Sequence, residues 1–289
     1  MRADVSQYEL VAPTSLDAAL ALLAAAPGQH TPIAGGTELM VALNSGRLQQ
    51  RSLVSLQALR ELRFIRVEDD AVHIGAGTTF TDIRNQATIA AELPLLVQSA
   101  SWTGTIANQN RATLGGNICN ASPAADTPPA LLAYEAQVVL ISTRGQRTMP
   151  YTEFHRGYKQ TALAADELLY AIIVPRAHAV WTQWIRKVGT RNALAISKVA
   201  MACLARVRDG RIDEIRIGVA SLADRPLRCT QAEAALVGQR VATNDLQATI
   251  ARGRTALLAE TAPIDDIRST ARYRKAVGAN LLEEFLRTL

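Results

Sequence analysis

The chain has only three cysteines in 289 residues, Cys119, Cys203 and Cys229. They are too far apart for a Cys-x-x-Cys pair, and an odd, dispersed set encodes neither a disulfide framework nor a complete iron–sulfur ligand set. Histidines are as sparse: His30, His73, His155 and His178 share no spacing that would hold a metal. Aromatic residues are 4% of the chain, and its basic residues are scattered rather than gathered into a stripe. The net charge of +5 therefore builds no nucleic-acid surface. Long apolar runs are missing too. The stretch Ala18 to Ala26 follows Asp4, Glu9 and Asp17 and is too short to cross a bilayer, so neither a signal peptide nor membrane insertion is expected, and a cytoplasmic location is.

What is present is apolar side chain in quantity: 48% of residues are hydrophobic, enough at this length for two or three cores. "SLDAALALLAAAPG" predicts an amphipathic helix with Ser15 as N-cap, Asp17 in its first turn and Pro27-Gly28 at its end. "HTPIAGGTELMVALNSG" goes from a short apolar entry through Gly35-Gly36 into helical spacing at Leu39, Met40 and Leu43. "RSLVSLQAL", "LRFIRVEDD" and "AVHIGAGTTF" alternate as strands do, with a turn at Asp69-Asp70. A helix is expected over Thr81 to Glu92, closed by Pro94, and Thr103 to Asn110 reads as irregular. Ala136 to Ile141, Leu168 to Val174 and Trp184 to Val188 predict further strands, with "TRGQRTMPYTEF" as a loop. Two long strands joined at Asp209-Gly210 follow, then helices from Thr230. The pattern predicts an α+β body of two lobes and a C-terminal lobe in which helices cover a small sheet.

Two double-glycine turns carry the chemistry: "PIAGGTEL", Pro32 to Leu39, and "TLGGNI", from Thr113 through Asn117. Glycine admits positive φ and lets a backbone approach a ligand without a Cβ, so successive amides can point at one anion. Two such turns are expected to grip a pyrophosphate from both sides, with Thr37, Thr113 and Asn117 adding donors. "GAGTTF" lacks the third glycine of a dinucleotide fingerprint. Gly75 and Gly77 read instead as a turn at a strand end, lining the same cleft.

"PIAGGTEL", "TLGGNICNASPAAD" and "ELLYAIIVP…WIRKVGTRNALAISKVAMA", in that order, resemble the FAD-binding medium subunit of molybdenum hydroxylases, the family of xanthine dehydrogenase and carbon monoxide dehydrogenase. "IRIGVASLADRPLRCTQAEAALVG" resembles that family's C-terminal lobe. The resemblance implies a two-lobed FAD-binding body of the PCMH or vanillyl-alcohol-oxidase-like type, residues 1–58 and 59–177, followed by an α+β lobe, 178–289. It places Pro32, Ile33, Ala34, Gly35, Gly36, Thr37, Glu38 and Leu39 around the pyrophosphate, facing Thr113, Leu114, Gly115, Gly116 and Asn117. Asp126 matches a carboxylate that accepts hydrogen bonds from flavin-nucleotide hydroxyls, and Leu169 and Lys187 match positions that contact the isoalloxazine. Thr103, beside Trp102, stands where some relatives stack a phenylalanine on the ring. Cys119 comes near the flavin with its loop.

No histidine lies inside either glycine turn, which implies FAD held without a covalent bond. The resemblance further implies a small iron–sulfur subunit with [2Fe-2S] clusters and a large molybdenum-cofactor subunit, in a heterotrimer or a dimer of heterotrimers. The chain would then pass electrons from the clusters to an external acceptor, the organic substrate being oxidised on another polypeptide. Two alternatives stand beside this reading: a self-sufficient flavin oxidase of the same superfold, and a flavin-free scaffold subunit.

Overall fold

The structure is a computed structural model that describes residues 5–191 and 194–289. Asp4 of the charged lead-in and Asn192 and Ala193 of the "TRNALAISK" stretch lie outside them.

The first lobe is β1 (Glu9–Val11), α1 (Leu16–Ala25), β2 (His30–Ile33), α2 (Leu39–Asn44) and β3 (Ser52–Ser55). The Ser15 side chain accepts from the Ala18 N–H and caps α1. Leu16, Ala19, Leu20 and Leu23 form the helix's buried stripe, at the i, i+3, i+4, i+7 spacing that one helical face requires. The strands form a parallel sheet in the order β1-β3-β2. Parallel neighbours need crossovers, and α2 carries the chain from β2 to β3.

The second lobe begins with β4 (Ile65–Val67) and β5 (Ala71–Gly75). Six helices follow: α3 (Phe80–Asn85), α4 (Ala87–Glu92), α5 (Pro94–Trp102), α6 (Ile106–Gln109), α7 (Leu114–Cys119) and α8 (Pro128–Ala133). It ends with β6 (Gln137–Ser142), β7 (Gly145–Pro150), β8 (His155–Gly157), β9 (Gln160–Thr161) and β10 (Leu168–Pro175). Its antiparallel sheet runs β4-β5-β10-β6-β7, with β10 at the centre.

Four sequence expectations are corrected here. The stretch Thr103 to Asn110, expected to be irregular, holds α6, which Thr105 and Asn108 cap reciprocally. Pro94 opens α5 rather than ending its predecessor, since proline's missing N–H costs nothing at the first helical position. The expected helix over Thr81 to Glu92 is two helices, α3 and α4, meeting at an extended Gln86. Half of the expected loop "TRGQRTMPYTEF" is β7, an edge strand whose polar side chains are mostly exposed and so hide the alternation that marks a half-buried strand.

The C-terminal region holds β11 (Thr182–Val188), β12 (Val199–Arg208), β13 (Arg211–Ala220) and β14 (Leu227–Arg228), an antiparallel sheet in chain order. Then come α9 (Thr230–Leu236), α10 (Thr243–Glu260) and α11 (Ala271–Leu286). Side chains of β12 alternate between two cores. Ala202 and Leu204 join the second lobe's core, whereas Val199, Met201, Cys203 and Ala205 pack with α9, α10 and α11. One strand is thus a wall shared by both bodies, as a period of two allows.

Candidate functional site

At the end of β2 the chain turns through Ala34 to Glu38 into α2, and Gly36 takes the left-handed conformation with φ +73°. Gly35 is held so close to the second lobe that a Cβ would lie 1.9 Å from the Arg111 carbonyl oxygen. Arg111 Nε in turn donates to the Gly35 carbonyl at 3.4 Å. Among the described residues, no acceptor of the chain meets the N–H groups of Ala34, Gly35, Gly36, Thr37, Glu38 or Leu39. A run of free amides at a turn is a concavity for an anion. It opens on a cavity of about 340 Å³ lined by Ile33, Ala34, Gly35, Gly36, Thr37, Met40 and Arg111 among others. A second cavity of about 120 Å³ shares Ala34, Gly35, Gln57 and Arg111 and reaches Gly77, Thr79, Asn110 and Thr113. Pro32, Glu38 and Leu39 flank this turn without lining either cavity.

The second glycine pair behaves differently. Gly115 and Gly116 lie in the first turn of α7, not in a loop, with Thr113 as N-cap. Leu114 N–H donates to Thr78 O at 3.0 Å and Gly115 N–H to Ala76 O at 2.9 Å. Gly116 N–H donates to Thr113 Oγ1 at 3.1 Å. Three amides expected to face an anion are therefore bonded inside the second lobe, which corrects the picture of two equivalent amide cradles. The glycines serve close approach instead. A Cβ on Gly115 would lie 2.6 Å from Ala76 Cβ, whereas one on exposed Gly116 would meet only Thr113 Oγ1, at 3.0 Å. Asn117 Oδ1 accepts from Thr127 Oγ1 at 2.6 Å, and among the described residues its NH₂ meets no acceptor.

The remaining candidates gather where the second lobe meets β11. Lys187 Nζ donates to Asp126 Oδ2 at 2.6 Å and to the Trp102 carbonyl at 3.3 Å. Ser197 Oγ donates to Asp126 Oδ1 at 2.6 Å. Burial pushes the Asp126 carboxyl above its ordinary range, against the opposing pull of Lys187 and Ser197. An ammonium has three N–H donors, and among the described residues the third on Lys187 has no acceptor. Thr103 Oγ1 donates to Ser99 O within its own helix, so the Trp102 carbonyl, not the Thr103 hydroxyl, reaches this group. Leu169 is 4% exposed in the second lobe's core, which leaves its side chain little surface to present to a ring. Cys119 packs against the same core, and burial pushes its thiol up to about 12. At that value it is a protonated packing group, not a thiolate.

Arg111, Asn110, Gln57 and Ser197 join the site without having been singled out in the sequence. Arg111 could have been found as a cation two residues before Thr113. Gln57 and Ser197 carry no local signal, since only the packing of lobes brings them in. Gly77 does line the smaller cavity, but Gly75 packs on the Leu62 carbonyl. Each histidine has a partner within the protein: His30 with Ser52, His73 with Glu68, His155 with the Ile118 carbonyl and His178 with Glu135. Among the described residues no cluster of His, Cys, Asp or Glu could hold a metal ion, and no helix is long and apolar enough to cross a membrane.

Comparison with known proteins identifies the family of both parts of the chain. Residues 6–177 match the family model described as the FAD binding domain in molybdopterin dehydrogenase, and residues 184–289 match the CO dehydrogenase flavoprotein C-terminal domain. The nicotinate dehydrogenase FAD-subunit of Eubacterium barkeri is 33% identical over 255 residues, covering 85% of each chain. The carbon monoxide dehydrogenase medium chain of Hydrogenophaga pseudoflava is 30% identical over 280 residues, covering 97% of this chain and 96% of that one. A solved carbon monoxide dehydrogenase from the same organism, lacking the Mo-pyranopterin moiety of its cofactor, superposes with a TM-score of 0.91 at 30% identity, over 96% of this chain and 95% of that one. The chain belongs to the family of FAD-binding medium subunits of molybdenum hydroxylases.

Proposed function

We propose that the chain binds one FAD without a covalent bond, in the groove between its first two lobes, as the electron-transfer subunit of a cytoplasmic molybdenum hydroxylase. A small partner with [2Fe-2S] clusters delivers electrons that a large partner's molybdenum cofactor takes from the organic substrate, and an external acceptor receives them. The three chains form a heterotrimer or a dimer of heterotrimers. The lobes divide at 58/59 and 177/178, in keeping with the three main sheets.

The observation that carries this reading is the run of six free amides, Ala34 to Leu39, of which the residues Ala34 to Thr37 line a cavity beside Arg111. The residues present fit a dinucleotide. Backbone donors and a guanidinium suit a diphosphate, and Gly116 offers a helix surface with no Cβ in the way. When bound, FAD supplies the interchange between single-electron and electron-pair transfer. The chain's part is binding and electrostatics. The amides of Ala34 to Leu39 and the Thr37 hydroxyl hold the pyrophosphate, Arg111 balances its charge, and the Asn117 NH₂ on α7 adds a donor. Lys187, with one N–H to spare, sets a positive charge at the ring, where it favours electron gain. Asp126 keeps that ammonium in place and accepts from nucleotide hydroxyls with its remaining lone pairs. Leu169 and Thr103 contribute through their backbone.

Acid precipitation of the purified chain tests the reading. Released FAD, equimolar with protein, is the expected result. Flavin left in the pellet points to the self-sufficient oxidase, and a colourless native protein to the scaffold.

A further inference from the structure

Ser197 is wholly buried, and its neighbours fix both its ends. Its Oγ donates to Asp126 Oδ1 at 2.6 Å, and its carbonyl accepts from Ser221 Oγ at 2.8 Å. Ser221 follows β13 in the left-handed conformation, φ +63°, and its N–H donates at 2.8 Å to the carbonyl of Pro123, three residues before Asp126. The next carbonyl, that of Lys198, accepts from Arg274 Nη1 at 2.8 Å. Arg274 is 3% exposed and is held by Asp266 at 2.7 Å. A continuous polar path therefore leads from α11 and β13 through Ser197 to the carboxylate that carries Lys187. A left-handed φ in a non-glycine residue costs free energy, so surrounding contacts must fix it.

Resting on the reading above that Lys187 faces the flavin, we propose that Ser197 is a positioning residue which sets, through Asp126, where the Lys187 ammonium stands at the ring. The carboxylate divides its two oxygens between two donors. With the Ser197 hydroxyl removed, Oδ1 is left in a dry site without a donor, and among the described residues the charged donor already bonded to this carboxylate is Lys187. The carboxylate then turns both oxygens to Nζ and draws it back from the ring. Positive charge withdrawn from the flavin weakens its hold on added electrons. Serine to alanine deletes a single oxygen and disturbs packing little.

The test uses the full chain loaded with FAD, as wild type, Ser197→Ala and Ser197→Thr, and with Ser197→Ala repeated in an Asp126→Asn background. FAD affinity is read by flavin fluorescence and the midpoint potential by spectroscopic redox titration. Ser197→Ala should bind FAD about tenfold more weakly and shift the potential downward. Ser197→Thr should restore both, and in the Asp126→Asn background Ser197→Ala should change neither. A wild-type potential in Ser197→Ala, or an equal shift in both backgrounds, overturns the proposal. Should Ser197→Ala fail to fold, Ser221→Ala, which loosens Ser197 but spares its hydroxyl, must lower the potential, and an unchanged potential there overturns it as well. A wild-type chain that binds no FAD overturns the cofactor reading and this inference together, whereas the other negative results remove this inference alone.

Discussion

Lys187 and Asp126 meet at 2.6 Å across the boundary between the second lobe and the C-terminal sheet, with side chains 9% and 11% exposed. Asp126 precedes α8, and Lys187 lies on β11, which pairs with the strand shared by two cores. Docking of the C-terminal lobe thus delivers a cation to the site, and the same contact reports whether the lobe is docked. Two ions so far from water gain little net stability over an apolar pair, but loss of one leaves the other expensive to bury.

Lys187→Met keeps the length and apolar stem of the side chain and removes only its charge. Asp126 is then left with Ser197 as its donor in a dry site, and unfolding should become easier by about 3 kcal/mol. Lys187→Met combined with Asp126→Asn should regain most of that loss, because no uncompensated charge remains. Urea denaturation of wild type, Lys187→Met, Asp126→Asn and the double variant at one pH gives the comparison, and additive losses in the double variant would count against the pairing.

A second ion cluster makes stability depend on acid. Glu135, at the end of α8, holds Arg216 at 2.9 Å, Arg228 at 2.8 Å and His178 at 3.3 Å. The hydrogen bonds from His178 and Arg228, with the Arg216 guanidinium beside them, pull its carboxyl far below the ordinary value of 4.5, against the opposing effect of burial. A carboxylate depressed in the folded state binds fewer protons there than in the unfolded chain. Its stabilising contribution is therefore complete above about pH 4.5 and is lost as pH falls toward the folded value. Wild type should exceed Glu135→Gln in urea midpoint at pH 7, and the gap should narrow steadily between pH 4.5 and pH 3. A gap that is constant over that range would remove Glu135 from the acid response.

How far the sequence was legible depends on the range of the contact involved. Ser15 and the leucine spacing mark α1, and Asp209-Gly210, both at positive φ, mark the β12–β13 hairpin, because a cap or a tight turn is a local demand on residue type. Gly115-Gly116 misled because two glycines weaken a helix, yet the cap bond from Thr113 and the approach to Ala76 favour one. The six free amides were legible as "AGGTEL". The Asp126–Lys187–Ser197 group was not, since 61 residues separate the ion pair and no local rule links them. For that pair the family resemblance, not spacing, supplied the candidates.

Arg111 lines both cavities and bonds the Gly35 carbonyl. As the cation beside the free amides, it should contribute a charge-assisted contact to the diphosphate, about 1.5–3 kcal/mol, or roughly ten- to hundredfold in affinity. Arg111→Ala should weaken FAD by that factor, and the loss should shrink as salt rises. Fluorescence titrations at two ionic strengths read both effects. A salt-independent loss would mean that Arg111 acts by packing the 111–112 backbone on Gly35 rather than by charge.

Gly115 and Gly116 are adjacent, and a Cβ would meet opposite surroundings on the two. A Cβ on Gly115 would lie 2.6 Å from Ala76 Cβ and 2.7 Å from its carbonyl oxygen. Gly115→Ala should therefore strain the packing of α7 against the end of β5 and destabilise the fold by about 1–3 kcal/mol. Gly116 takes no positive φ and points to the surface, its only crowded neighbour being Thr113 Oγ1 at 3.0 Å. A valine there asks only the Thr113 hydroxyl to shift by a few tenths of an ångström and should leave the fold in place. Its methyl groups enter the space in which the diphosphate would lie against α7, so Gly116→Val should weaken FAD by at least about tenfold, a steric cost of about 1.4 kcal/mol. Denaturation midpoints and FAD titrations on the two variants separate the roles. Stability should fall for Gly115→Ala with a modest change in affinity, and affinity should fall for Gly116→Val with wild-type circular dichroism. Wild-type FAD content in Gly116→Val would place the cofactor elsewhere than along α7. Equal instability in both variants would mean that Gly116, like Gly115, is there for packing alone.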